Sequence, residues 1–268
     1  KEFGGSIFEQ LDSTFAYLAL CNKTTATFKG LERIEKVMPM QDLIVNHTMF
    51  PQYARFSPNK KAAIEKLINN GAVDVHNVFT VLPREGDDRQ LKYCPLCVKE
   101  DRARYGEAYW HRAHQIDGVY VCHKHKCRLI SSDVVITTRK KYELMPAELH
   151  IPDKLPEPEG GTDKEILLAQ YLFVLLNYNI SNNTGNLADF LHRRMNGTKY
   201  LNSSGSFIKA KLLYEDYLKY WGKDAAITNA RAMKELCNGN RVNPYTISQV
   251  AIMAGILVED LIKLEVTD

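Results

Sequence analysis

Long apolar runs are missing from this chain of 268 residues. The longest, Ile166 to Leu176, is broken by Gln170. It falls short of the ~20 residues a membrane helix needs, so no membrane partner is expected. No signal-peptide pattern is visible either. Cysteine is sparse at six residues, too few for the disulfide scaffold of a small secreted protein. Free thiols instead suit a reducing cytoplasm. Charge of one sign is also lacking, with a net of only +3. A content of 45% hydrophobic and 25% charged residues is that of an ordinary soluble protein, long enough for one large domain or two modest ones. The chain opens at Lys1-Glu2-Phe3 without Met and reads as a fragment.

What cysteine there is lies mostly in one block. Between Tyr93 and Leu129 stand Cys94-x-x-Cys97 and Cys122-x-x-His125, separated by 24 residues. An x-x spacing on a tight turn aims two side chains at one point, and two such pairs complete a tetrahedron around zinc. A disulfide or ordinary buried thiols are the alternatives. The spacing favours one structural zinc ion on Cys94, Cys97, Cys122 and His125. His123 and Cys127 lie close enough to replace His125, which repeats the spacing of the first pair. Four protein ligands leave no open position for water, so the metal is expected to fold the chain rather than catalyse.

The predicted architecture is mainly α: a helical N-terminal part (1–83), a small zinc knuckle with short strands (84–149), a linker (150–163) and a helical C-terminal domain (164–268). Residues 6–21 carry a helix-like apolar stripe, and Ser57-Pro58 caps a helix that ends at Asn69-Asn70-Gly71. Residues 84–90 are a polar lead into the knuckle. Within it a short helix over 98–105 stops at Gly106, and strands are expected over 118–120 and 127–138. Tyr109, Trp110, His111, Arg112 and His114 are expected to pack around the metal ligands. Three prolines and two glycines mark 150–162 as an exposed linker. Thr162-x-x-Glu165 is a capping box that restarts a buried helix. Further helices are predicted over 187–195, 207–220 and 225–238. Residues 246–264 have helix-turn-helix form, with Ile247, Ala251, Gly255 and Leu261 at its apolar, small and turn positions. Its second helix, 257–265, offers Glu259, Asp260, Lys263 and Glu265, a face too acidic for a phosphate-lined groove and better suited to protein.

Divided along the chain, positive charge gathers in two places: residues 84–128 carry a net +3 and residues 190–223 a net +5. Such patches suit a polyanion, double-stranded DNA above all. The candidate contacts are Arg102, Arg104 and Arg112 near the knuckle, and Arg193, Arg194, Lys199, Lys209 and Lys211 beyond it.

Four stretches together resemble the TniQ/TnsD family of target-site selectors from transposons with a multi-protein transposase. They are Asn46-His47-Thr48-Met49-Phe50-Pro51-Gln52-Tyr53, Tyr93-Cys94-Pro95-Leu96-Cys97, Tyr105-Gly106-Glu107-Ala108-Tyr109-Trp110-His111-Arg112 and Val121-Cys122-His123-Lys124-His125. With a looser match over 187–222 they cover most of residues 40–222. The resemblance implies a bacterial, nucleoid-associated protein that is not an enzyme. It implies binding of a target site, or of a CRISPR guide complex that has found one, and recruitment of an AAA+ ATPase of the TnsC type. Cys21, Cys127 and Cys237 supply no second ligand set of the kind the CRISPR-associated adaptors carry. That favours the TnsD-like branch, which binds DNA directly. A hydrolase or deaminase using Glu107, His111 or His114 is disfavoured, because the chain lacks the His-x-Glu partner of a Pro-Cys-x-x-Cys deaminase motif and the knuckle leaves no open zinc position.

Overall fold

The computed structural model describes residues 89–136, 145–178, 187–240 and 242–263, with isolated positions between 39 and 56. The helices expected over 6–21 and 58–71 lie outside the described residues. The chain divides into two compact units, the first reaching Asn177 and the second beginning, apart from residues 55–58, at Tyr178. Among the described residues the fold is mainly helical, with a single two-stranded sheet.

In the first unit, strand β1 (Arg89–Tyr93) pairs antiparallel with β2 (Ile130–Ile136). Tyr93 lies opposite Ile130 and Arg89 opposite Ile136, with a register shift between Gln90 and Lys92. Alternation along β1 turns Leu91 and Tyr93 inward, where they meet Val98, Trp110, Val134 and Ile151 in one core. The polar lead expected over 84–90 therefore ends in a strand. Pattern reading missed β1 because Gln90 and Lys92, beside its buried Leu91, read as part of the polar lead.

Helix α1 (Pro95–Tyr105) starts at Cys94, whose side chain takes the N-cap, and Pro95 occupies a first-turn position that needs no N–H. It begins earlier than expected because the cap is a thiol. Of the two strands predicted within the knuckle, 130–136 forms. The 118–120 strand does not, and next to it Val121 makes an isolated bridge with Arg128.

Residues 150–163 are not a free linker. A short helix α2 (Ala147–His150) leads into them, and Ile151 is buried. Arg128 N donates to Glu159 O (2.7 Å) and Gly161 N to Lys126 O (2.9 Å), so the segment lies alongside the knuckle, joined to it by an isolated antiparallel bridge between Cys127 and Gly160. Gly161 permits this approach, since a Cβ there would stand 2.5 Å from Val121 Cγ2. The capping box forms: Thr162 N donates to Glu165 Oε2 (2.8 Å) and Glu165 N returns to Thr162 Oγ1 (3.4 Å). Helix α3 (Asp163–Asn177) follows in the same unit, burying Leu168, Tyr171, Leu172, Leu175 and Leu176. Where the sequence places the break ahead of this helix, the structure places it after Asn177.

The second unit holds α4 (Leu187–Met195), α5 (Ala210–Trp221), α6 (Ala230–Cys237), α7 (Pro244–Met253) and α8 (Val258–Lys263). Its core is tied by a buried polar network. Tyr217 Oη donates to Gln249 Oε1 and accepts from Ala226 N (2.8 Å) and Ile227 N (3.1 Å). Gln249 Nε2 donates to Asp224 O (2.8 Å), and Trp221 Nε1 to Gln249 O (3.0 Å). Every group in this network has a partner, as burial requires. Helices α7 and α8 form the predicted pair. Ile247, Ala251 and Leu261 are fully buried, and Gly255 turns the chain at φ +68°, a conformation that side chains disfavour.

Candidate metal centre

The two halves of the site are built alike. Cys97 N points at Cys94 Sγ (3.5 Å) and His125 N at Cys122 Sγ (3.4 Å), so each x-x turn folds its second donor back towards the first. Two backbone bonds clamp the second turn, Cys122 N to Cys127 O and Lys126 N to Cys122 O, both 2.8 Å. Lys126 takes a left-handed φ of +59° to complete it. The first pair sits on the N-terminal turn of α1, where the helix dipole favours thiolate over thiol.

The donor atoms of Cys94, Cys97, Cys122 and His125 all lie within 4.8 Å of one another and form a group that could hold a metal ion. His125 Nδ1 is 3.4, 3.3 and 3.8 Å from the sulfurs of Cys94, Cys97 and Cys122, and the Cys97 and Cys122 sulfurs are 3.7 Å apart. A tetrahedral site with bonds of about 2.3 Å to sulfur puts neighbouring donors about 3.7 Å apart, the range seen here. The sulfurs are not electrostatically equal. Hydrogen bonds with Cys122 and Cys97 draw the Cys94 thiol down to about 3, whereas bonds with Cys122 and Cys94 hold Cys97 above its ordinary value. Three adjacent thiolates repel one another, and a divalent cation at their centre lets all of them ionise together.

Around the donors stands a ring of orienting groups. Glu100 Oε1 bonds His125 Nε2 at 3.1 Å, which leaves Nδ1 to face the sulfurs, while its other oxygen meets Lys124. Asp101, buried in α1, holds His111 Nε2 at 2.7 Å. His111 stacks on both Tyr109 and His114. His114 is fully buried with Nε2 3.9 Å from Cys97 Sγ, and burial pushes its pKa down to about 4, so the ring is neutral at neutral pH. Together with Cys97, these two histidines form a second group of metal-binding spacing, but it borrows a donor from the first. Cys127 lies 3.4 Å from Cys94 Sγ, and burial raises its thiol to about 12. It is thus placed to donate its S–H to Cys94. His123 stacks on Phe173 instead (centroids 3.7 Å apart). Trp110 is buried and donates to Met145 O (2.8 Å). Spacing alone pointed to the four donors. Glu100 and Asp101 were missed, although a carboxylate one turn after Cys97 on the same helix was the available signal.

The basic residues divide into two groups. Arg102 is held inside the fold: Nε meets both Glu148 oxygens at 3.1 Å, and its terminal nitrogens donate to Pro152 O (3.2 Å) and Ile151 O (3.0 Å). Arg194 pairs with Asp260 (2.7 Å), and Lys199 with Asp216. Arg112 donates to Asn177 Oδ1 (2.7 Å), and Arg104 lies over the Tyr105 ring. Arg193, Lys209 and Lys211 are exposed on the second unit, with Lys209 reaching Lys199 O at 3.4 Å.

The TniQ family profile matches residues 9–129, a stretch that ends just past the last of these donors. Transposon Tn7 transposition protein TnsD of Escherichia coli is 36% identical over 89 residues. That alignment covers 32% of this chain and 18% of the relative, so the chain corresponds to a small part of that protein. Profile and relative point to the same family: the chain is TniQ-like over residues 9–129 and similar over 89 residues to TnsD.

Proposed function

We propose that this protein is a target-site selector of a multi-component transposon. In this reading it binds duplex DNA and recruits an AAA+ ATPase of the TnsC type, and through it the transposase. The observation that carries the reading is that the stretch similar to TniQ, residues 9–129, holds all four donors of the metal cluster. The ion is zinc, because three thiolates and one imidazole in a closed tetrahedral set are a structural zinc site. With its coordination filled by protein, the metal organises a binding surface and turns over no substrate. Phosphate contacts come from Arg104 and Arg112 in the first unit and from Arg193, Lys209 and Lys211 in the second. Arg194 and Lys199 serve mainly their carboxylate partners. Among the described residues no helix is long and apolar enough to cross a membrane, and a cytoplasmic, nucleoid-associated protein fits the reading.

The second helix of the α7–α8 pair favours protein over DNA, because Glu259 and Asp260 stand on its first turn. This is the place for the ATPase. The same feature supports a second reading, an adaptor that docks on a CRISPR guide complex without reading DNA itself. A titration of the metal-loaded protein on random and genomic duplexes, repeated across salt, decides between them. A selector binds particular fragments, and its log affinity falls with log salt by about 0.9 per phosphate neutralised. Weak binding that ignores both sequence and salt rejects the DNA reading in favour of the adaptor.

A further inference from the structure

A cavity of about 300 Å³ opens in the first unit beside the metal centre. Arg104, Tyr105, Tyr109, His111, Arg112 and Lys124 are among the residues lining it. Its two acids already have internal partners: Glu100 is bonded to His125 and Lys124, and Asp101 to His111. The lining carries three cations, Arg104, Arg112 and Lys124, against these two carboxylates, so its formal charge is positive.

Its aromatic lining is ordered from behind. His114, His111 and Tyr109 stack in one column, with centroids 4.8 and 4.4 Å apart and planes within 28° and 16° of parallel. The inner end of the column lies against Cys97 and is fixed by the metal cluster. At the outer end Tyr105 meets Tyr109 edge-on, at 5.9 Å and 67°, and makes a corner of two phenol rings. Tyr105 is 51% exposed, so its ring is open to solvent. Arg104 covers part of its ring.

A flat apolar ring joined to an anion matches this lining, and a nucleotide is that combination. The volume lies at the lower end of the range for small-ligand sites, enough for one such unit. Bases inside a duplex are already stacked on both faces, so only an unpaired one can offer its face to tyrosine. We propose that the cavity takes one unpaired DNA nucleotide, its base against Tyr105 and Tyr109 and its phosphate between Arg104 and Arg112. This rests on the DNA-binding reading above and adds to it a contact that a perfect duplex cannot make.

The test uses the full, metal-loaded chain and two duplexes of one sequence, one fully paired and one with a single bulged 2-aminopurine deoxynucleotide. The bulged duplex is expected to bind about tenfold more tightly, with a change in 2-aminopurine fluorescence on binding. Tyr105→Ala should abolish that preference while leaving zinc content and paired-duplex affinity unchanged, and Tyr105→Phe should restore it. Equal affinities, or a preference that survives Tyr105→Ala, overturn the pocket and leave the duplex reading standing. Binding of the bulged form alone supports the pocket and rejects the duplex reading. If neither duplex binds, both fall.

Discussion

Glu100 decides which nitrogen His125 presents to the sulfurs. Its carboxylate takes the outer N–H, fixes the tautomer and leaves Nδ1 unprotonated for the metal. Lys124 and His125 hold the Glu100 carboxyl below its ordinary range, so the acceptor is ionised at neutral pH. Glu100→Gln keeps the size but loses the charge, and the expected result is a 10- to 100-fold weaker metal affinity. Competition against a chromophoric chelator measures it, and an unchanged affinity would show that the contact is incidental. The four donors were legible in the sequence because an x-x spacing constrains a turn by itself. Glu100 and Asp101 were not, because a carboxylate on a helix looks the same in a sequence whether it faces water or a histidine. Arg102 shows the reverse error. Its charge suggested phosphate, yet Glu148 and two carbonyls on α2 and the chain just after it take its donors.

At the scale of elements, local signals were read well and long-range pairing was not. Caps and turns are written within a few residues, so Thr162-x-x-Glu165 and Gly255 fall where expected. The α7–α8 pair was visible because its buried positions follow a helical period. Residues 150–163 looked like a linker for an equally local reason: proline, glycine and exposed acids. What composition could not show is that the backbone of 159–161 pairs with 126–128, more than thirty residues earlier. Gly161→Ala tests how much this pairing matters. The added methyl would meet Val121, which is fully buried and cannot retreat into solvent. Urea denaturation is expected to show a loss of about 1–3 kcal/mol, the usual range for overpacking. Metal loss to a chelator should quicken in step. A neutral result would mean that 159–161 can lift away at no cost.

For the whole molecule, the two units are built on different principles. The second has a helical core and a satisfied polar network around Tyr217 and Gln249. Among its described residues the first surrounds its metal donors with a two-stranded sheet and a core cluster around Leu91 and Trp110. Apparent binding free energies of structural zinc, about 10–16 kcal/mol, equal or exceed the whole stability of a typical domain. Cys97→Ser, or removal of the metal by a strong chelator, should therefore unfold the first unit and spare the second. Hydrogen exchange read by mass spectrometry is expected to show protection lost over 89–136 and kept over 210–237. Loss of protection in both together would show that the units fold as one.

The pairing of 159–161 also gives the metal centre a history. A chain emerges from the ribosome N-terminus first, so all four donors leave the tunnel before Glu159, Gly160 and Gly161 do. A metal ion would then meet an open knuckle before the segment that lies against it has emerged. Translation thus sets a window for metal exchange. A codon change that slows the ribosome after the donors have left the tunnel, and before 159–161 have, would lengthen that window without altering a single residue of the finished protein.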